Sequence, residues 1–496
     1  MSRIADVFSR LTFTQTRTRT LAGDGVNAIF ARVSPGLSTF AISVLVGRLG
    51  GVEMLGEVQL ALSSATLACI FFPTPAGSVA ARFLARSLAL DQGRSAAAVT
   101  RFVARSAGVA AAVLAAVVIA VHALAMNSSA ALTIVAGLMT LAVAGRAVAE
   151  GFHAGLGRLR RLSTWTLCLS CVGVVGAGAV LVGGGRSATV LVPLAVGNLF
   201  LAYQSLPIKQ SFPEEARLLP KVEEAEILKY VKLGVAGMLA STGLAHGAIL
   251  AASVSNDRSY VGQYSAAMTL TTPFALAASA MILVLFPALS KAHATGSKAE
   301  ITGLTNSATR QLSLILITGG LLLSPIIPWL IEILWGARFK GASFIACFLL
   351  VAVIINGISA PAVSALTTAS AKGMSVSSAY SWAGLILAIA SWALLSLLGI
   401  SQSIPIAFAI GTSAVGLLPL IHVWKEMLMR WSWLFVKIVS GSLIMVMVGL
   451  FSAMNQVALP IAIAMAILSV LFWLAVNLAD FRRALGLLLR RQRDLI

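Results

Sequence analysis

Uncharged apolar runs of about eighteen residues or more recur from one end of the sequence to the other. A soluble core could not bury them all, whereas a bilayer dissolves them. Inside hydrocarbon the backbone must satisfy its own hydrogen bonds, which leaves only helices or closed barrels, and runs of this length are helical rather than strand-sized. The 58% apolar and 11% charged residues agree. The expected fold is therefore all-α and polytopic, with about fourteen transmembrane helices. Their spans lie near 26–47, 59–79, 103–125, 130–152, 164–183, 189–208, 233–254, 264–289, 312–334, 343–367, 376–398, 404–423, 434–453 and 459–479.

The distribution of positive charge tests that count independently. Of 36 lysines and arginines, only Arg48, Arg186, Arg258, Arg338 and Lys340 fall in alternate loops on one side. Arg32, Arg105, Arg146 and Lys437 fall within spans, and all the others lie in segments on the opposite side. Basic residues mark the cytoplasmic face, so both termini are expected there, in a multi-pass protein of the inner (cytoplasmic) membrane. The net charge of +19 is then explained by loops against anionic headgroups, with membrane lipids as neighbours and no nucleic acid. The polar N-terminal segment lacks an apolar stretch followed by a small-residue cleavage site, so it is expected to remain on the mature protein.

Between the sixth and seventh spans, Lys209 to Lys232 carries balanced charge and reads as a hinge between two halves. The expected organisation is a cytoplasmic segment 1–25, a first lobe 26–208, a linker 209–232 and a second lobe 233–423. Two further helices over 424–479 and a basic tail over 480–496 follow. Each lobe has six helices. Weak internal similarity supports a duplicated plan. Arg48-Leu-Gly-Gly-Val-Glu-Met-Leu-Gly56 follows span one, and Asp257-Arg-Ser-Tyr-Val-Gly262 follows span seven.

No phosphate-binding glycine loop, clustered metal ligands or large extramembrane domain is visible, so neither an enzyme nor a cofactor or metal is expected. Cys168 and Cys171 have CxxC spacing without a second cluster, and all four cysteines lie in apolar spans. Attention falls instead on ionisable groups within spans, each costly unless it faces a partner or water. Arg32 precedes Ser34, Pro35, Gly36 and Ser38, which suggests an opened helix beside a cavity; snorkelling to the headgroups is the plainer alternative. Arg146 and Glu150 share a helical face at i, i+4, as a site or as a simple neutral pair. His246 lies mid-span between Gly243 and Gly247, as a ligand or as a hydrogen-bonded core histidine. His122 approaches the outer end of its span. Asn198, Asn356 and Gln204 read as interhelical glue.

Several short segments carry a family resemblance. Val44-Leu-Val-Gly-Arg48-Leu-Gly50 with Leu55-Gly56, Ala80-Ala-Arg82-Phe-Leu-Ala85 and Gly155-Leu-Gly157-Arg158 occur in the first half. Val261-Gly262-Gln-Tyr264-Ser-Ala-Ala267 and Leu285-Phe-Pro287-Ala-Leu-Ser290 occur in the second. In this order they resemble the polysaccharide-transporter branch of the multidrug/oligosaccharidyl-lipid/polysaccharide exporter superfamily. The resemblance implies a V-shaped pair of lobes that flips a polyprenyl-diphosphate-linked oligosaccharide for assembly of O-antigen, capsule or exopolysaccharide. A polysaccharide polymerase and glycosyltransferases are the partners it implies. Arg32, Arg146, His246 and Arg48 become candidate substrate-binding residues, and Glu150 the candidate for ion coupling. A lipid II flippase and a multidrug or cation antiporter of the same superfamily are alternative readings. A non-transporting scaffold of a polysaccharide assembly complex is a further one.

Overall fold

The computed structural model describes residues 21–89, 93–126, 128–205, 219–255, 257–369, 371–427 and 431–477. Helices account for nearly all of them, and no strand occurs among the described residues. In chain order they are α1 (Leu21–Ile70), α2 (Pro73–Ala89), α3 (Gly93–Leu124), α4 (Ala130–Gly155), α5 (Leu159–Val182) and α6 (Ser187–Ser205). Next come α7 (Lys221–Ser255), α8 (Arg258–Leu270), α9 (Thr272–Ala294), α10 (Lys298–Leu323) and α11 (Ile327–Trp335). The last are α12 (Ala342–Ala369), α13 (Ala371–Leu397), α14 (Ser403–Glu426), α15 (Ser432–Asn455) and α16 (Leu459–Val476).

Among the described residues, twelve helices are long and apolar enough to cross a membrane, or thirteen when α8 and α9, bent by 41°, count as one broken span. The difference from about fourteen lies in α1. Its 50 residues would run about 75 Å if straight, more than twice the hydrocarbon thickness. Instead it is two helices joined at Gly51, whose φ of 86° and ψ of −176° belong to glycine alone. The chain reverses there, because Pro35, Ser38 and Thr39 before the turn line the same cavity as Gln59, Leu62 and Thr66 after it.

Proline sets the other breaks. Pro73 opens α2 after the turn at Phe71 and Phe72, Pro273 opens α9 at the bend, and Pro325 and Pro328 divide α10 from α11 through a 3₁₀ turn. A carbonyl freed at such a break needs a donor in lipid, and Pro325 O accepts from Ser452 Oγ on α15 at 2.6 Å. Pro35, by contrast, leaves α1 continuous: Thr39 Oγ1 donates to its carbonyl at 2.9 Å. The opened helix expected there is therefore absent: the chain stays helical through the proline, and the Thr39 hydroxyl adds a local i, i+4 bond to the proline carbonyl.

Helix starts follow the sequence. Asp257 caps α8 through the Tyr260 N–H, and Ser297 with Glu300 at the third position caps α10. The seventh membrane helix begins earlier than the apolar pattern suggests. Lys221 to Lys232, read as linker, is already helical, with Glu223 and Glu224 in the first turn. Ile227 and Val231 are buried there against Phe83 of α2, and Arg82 stacks over Tyr230 at 4.4 Å.

Packing divides the molecule into two groups. Helices α1 to α6 pack on one another, with α6 against α1, α4 and α5. In the second group α12 is central, touching α8, α9, α10, α13 and α14. The main contacts between groups run through α1 and α2 on one side and α7, α8, α9 and α11 on the other. Helices α15 and α16 sit outside on α10 and the Pro325 break.

Candidate functional site

A cavity of about 290 Å³ lies within the first helix group and is closed on one side by α7. Two of the ionisable residues that stood out in the sequence meet there. Arg146 reaches it from α4, and His246 reaches it from α7. The remaining polar lining is uncharged: Ser38 and Thr39, Gln59 and Thr66, Thr166 and Ser170, and Asn198. Helices α1 and α5 contribute several of these polar groups, whereas α4 and α6 contribute one each, Arg146 and Asn198, from otherwise apolar faces.

Arg146 and Glu150 form an i, i+4 ion pair, Nε to Oε1 at 2.8 Å, with side chains 23% and 33% exposed. Because the bond uses Nε, the terminal guanidinium nitrogens stay available to a second anion. Glu150 itself does not line the cavity. His246 Nδ1 lies 3.2 Å from Ser63 Oγ, a contact that crosses from one helix group to the other. It therefore combines the two roles the sequence left open, being hydrogen-bonded and facing the cavity. Arg32 lies on the helical backbone of α1, but its side chain is outside the described residues.

Arg48 is placed elsewhere. From the Gly51 end of α1 its guanidinium donates to the carbonyls of Ile333 and Leu334, the latter at 3.1 Å from Nε. These are orphan carbonyls at the C-terminal end of α11, where a cation is favoured electrostatically. Beside it, Glu57 accepts from Arg258 of the second group and from Ser187 of α6 at 2.5 Å. Trp335 Nε1 donates to Ser43 O at 3.2 Å. The groups are thus fastened together at the Gly51 end.

Between these fasteners the backbones of α1 and α8 touch. A Cβ on Gly56 would collide with the Arg258 carbonyl, and one on Gly262 with the Val52 carbonyl. The two glycine-bearing segments that looked alike in sequence therefore meet face to face. Sequence reasoning missed Glu57 and Arg258 as partners; the available signal was an acid just after the glycine of the first segment and a base at the start of the second. It also left Gln59 and Asn198 without a role.

His122 is fully buried but away from the cavity, with Ser64 Oγ at 2.8 Å from Nε2 and Ser128 Oγ at 3.2 Å from Nδ1. Cys168 and Cys171 are exposed on α5 and unbonded, and no cluster of metal-ligating residues exists among the described residues.

No protein-family model and no curated protein matches this sequence. Solved structures do. The lipid II flippase MurJ in an inward closed conformation aligns with a TM-score of 0.61 and 14% identity, covering 92% of this chain and 99% of that one. An inward-facing multidrug resistance MATE family transporter of the MOP superfamily gives 0.60 at 12% identity, covering 81% and 98%. A Vibrio cholerae MATE transporter, crystallised as a point mutant, gives 0.57 at 13%, covering 86% and 98%. The chain shares the fold of these transporters and flippases.

Proposed function

We propose that the chain is a flippase that moves a polyprenyl-diphosphate-linked oligosaccharide across the cytoplasmic membrane by alternating access, for surface polysaccharide assembly. The observation that carries this is the polar lining of the cavity: one arginine, one histidine, and otherwise hydroxyls and amides, set among apolar side chains. Hydroxyls and amides suit a sugar, and a guanidinium suits a phosphate through paired N–H donors. A cation exporter would need a carboxylate facing its cargo, and the cavity lining has none.

In this mechanism Arg146 receives the diphosphate while Glu150 holds it ready. A coupling cation that occupies the Glu150 carboxylate releases Arg146 to the substrate, which links ion and cargo on adjacent turns of α4. His246 senses closure because its hydrogen bond to Ser63 spans the two helix groups. Arg48 acts later, at the outer end, by exchanging helix carbonyls for the departing diphosphate. Arg32 would meet the same diphosphate on the cytoplasmic approach.

The fastened Gly51 end closes the face that the arginine distribution assigns to the outside, so this arrangement loads from the cytoplasm. The fold of MurJ, a lipid II flippase, spans more of the chain than those of the MATE transporters, which favours lipid II as a second reading of the cargo.

Proteoliposomes carrying fluorescent polyprenyl-diphosphate sugars test the proposal. Arg146→Gln is expected to cut flipping at least tenfold, consistent with loss of a charge-assisted hydrogen bond, while Arg146→Lys retains a measurable part. Equal flipping by wild type and Arg146→Gln would overturn it. Running short oligosaccharide and lipid II cargos side by side separates the two readings.

A further inference from the structure

A second pocket, broad and open, of about 570 Å³ lies where α2, α3 and α7 meet, outside the cavity described above. Phe72 and Phe102 bound it, Arg105 and Ser106 supply polar groups from α3, and Glu224 and Leu228 face it from α7. Phe102, Arg105, Ser106 and Val109 share one face of α3. Above them the same face continues as exposed Val113 and Val117, a stripe suited only to hydrocarbon. The pocket is therefore the polar foot of a lipid-facing surface.

Its two charges are opposite and unjoined. Among the described residues, neither the Arg105 nor the Glu224 side chain makes an ion pair or hydrogen bond, whereas neighbouring Glu226 is engaged with Arg86 at 3.6 Å. Glu224 lies in the first turn of α7, and Arg105 lies about three turns into α3. The apolar span of α3 begins at 103 and that of α7 only at 233, which places Arg105 at the edge of the hydrocarbon and Glu224 on the side that the charge distribution assigns to the cytoplasm.

We propose that this pocket binds the headgroup of an amine-bearing zwitterionic phospholipid of the inner leaflet, a phosphatidylethanolamine. Its phosphate, attached at the glycerol and so deeper, meets Arg105 and Ser106. The terminal ammonium, nearer water, donates to Glu224. The acyl chains follow the valine stripe. A choline headgroup has no N–H to donate, and a glycerol headgroup brings a second acceptor environment but no cation for Glu224. Because α3 belongs to the first helix group and α7 to the second, the bound lipid bridges the two and favours the arrangement in which they approach at this seam. The site is independent of the cargo.

Native mass spectrometry of the full chain, released from nanodiscs holding equal amounts of ethanolamine, choline and glycerol phospholipids, tests this. The wild type is expected to retain the ethanolamine lipid about tenfold over either competitor, as for hydrogen bonds to charged groups. Arg105→Gln and Glu224→Gln should each bring retention close to parity. Equal retention of ethanolamine and choline lipids by the wild type would overturn the proposal without any variant, as would undiminished selectivity in a folded Glu224→Gln protein. Displacement of the lipid by free phosphoethanolamine at equal concentration would show that the site serves a soluble zwitterion, and that too would overturn it.

Discussion

Arg146 and Glu150 illustrate how a residue can be both balanced and available. The pair neutralises a charge that would be costly at membrane depth, yet it engages only one edge of the guanidinium. If Glu150 releases Arg146 to the cargo, Glu150→Gln should leave flipping intact but no longer dependent on an ion gradient, as read by collapsing that gradient in proteoliposomes. His122 offers the contrast. Replacing it with Ala removes two side-chain hydrogen bonds, to Ser64 and Ser128, from a fully buried position and should cost about 1–3 kcal/mol of stability, seen as a lower Tm with cargo binding unchanged. Sequence exposed Arg146, Glu150 and His246 because ionisable groups are rare in apolar spans. It did not expose Gln59 or Asn198, since a neutral amide in a span serves as glue as readily as it serves a ligand. Nor could it separate Arg48 from the cavity, because only the path of α11 shows that its carbonyls wait within reach.

At the scale of elements, hydropathy located the spans well, since apolar length is itself the physical requirement for crossing. Their ends were less legible. The charged start of α7 looks like a loop until Ile227 and Val231 are seen buried against α2, whereas the break at Gly51 falls in the glycine-rich turn expected between the first two spans. Breaks in lipid must be answered by neighbours, and Ser452 answers the one at Pro325. Ser452→Ala should therefore lower stability by about 1 kcal/mol, within the range for interhelical hydrogen bonds in membranes, measured by unfolding in mixed micelles. Gly56→Leu should be far more disruptive than Gly108→Leu. The first forces α1 away from α8, whereas the second has open space around it. Comparing folded yield and Tm of the two variants checks this.

For the whole molecule, the decisive feature is that two helix groups meet through few elements and are fastened at one end. Bridging Glu57→Cys and Arg258→Cys with a short cleavable thiol reagent should hold that end shut and stop flipping, with recovery once the bridge is cleaved. Persistent flipping by the bridged protein would place the moving parts elsewhere. The likeness of two short glycine-bearing segments was legible in the sequence; that they touch each other was not, because sequence similarity carries no information about which segments adjoin. That contact has an evolutionary implication. Gly56 excludes a side chain facing Arg258, and Gly262 excludes one facing Val52, so each copy offers the other a matching surface. If the two segments are copies inserted with the same orientation, a rotation axis relating them would run along the bilayer normal. A half-length ancestor could have used this self-complementary surface to form a homodimer before gene fusion joined its two subunits.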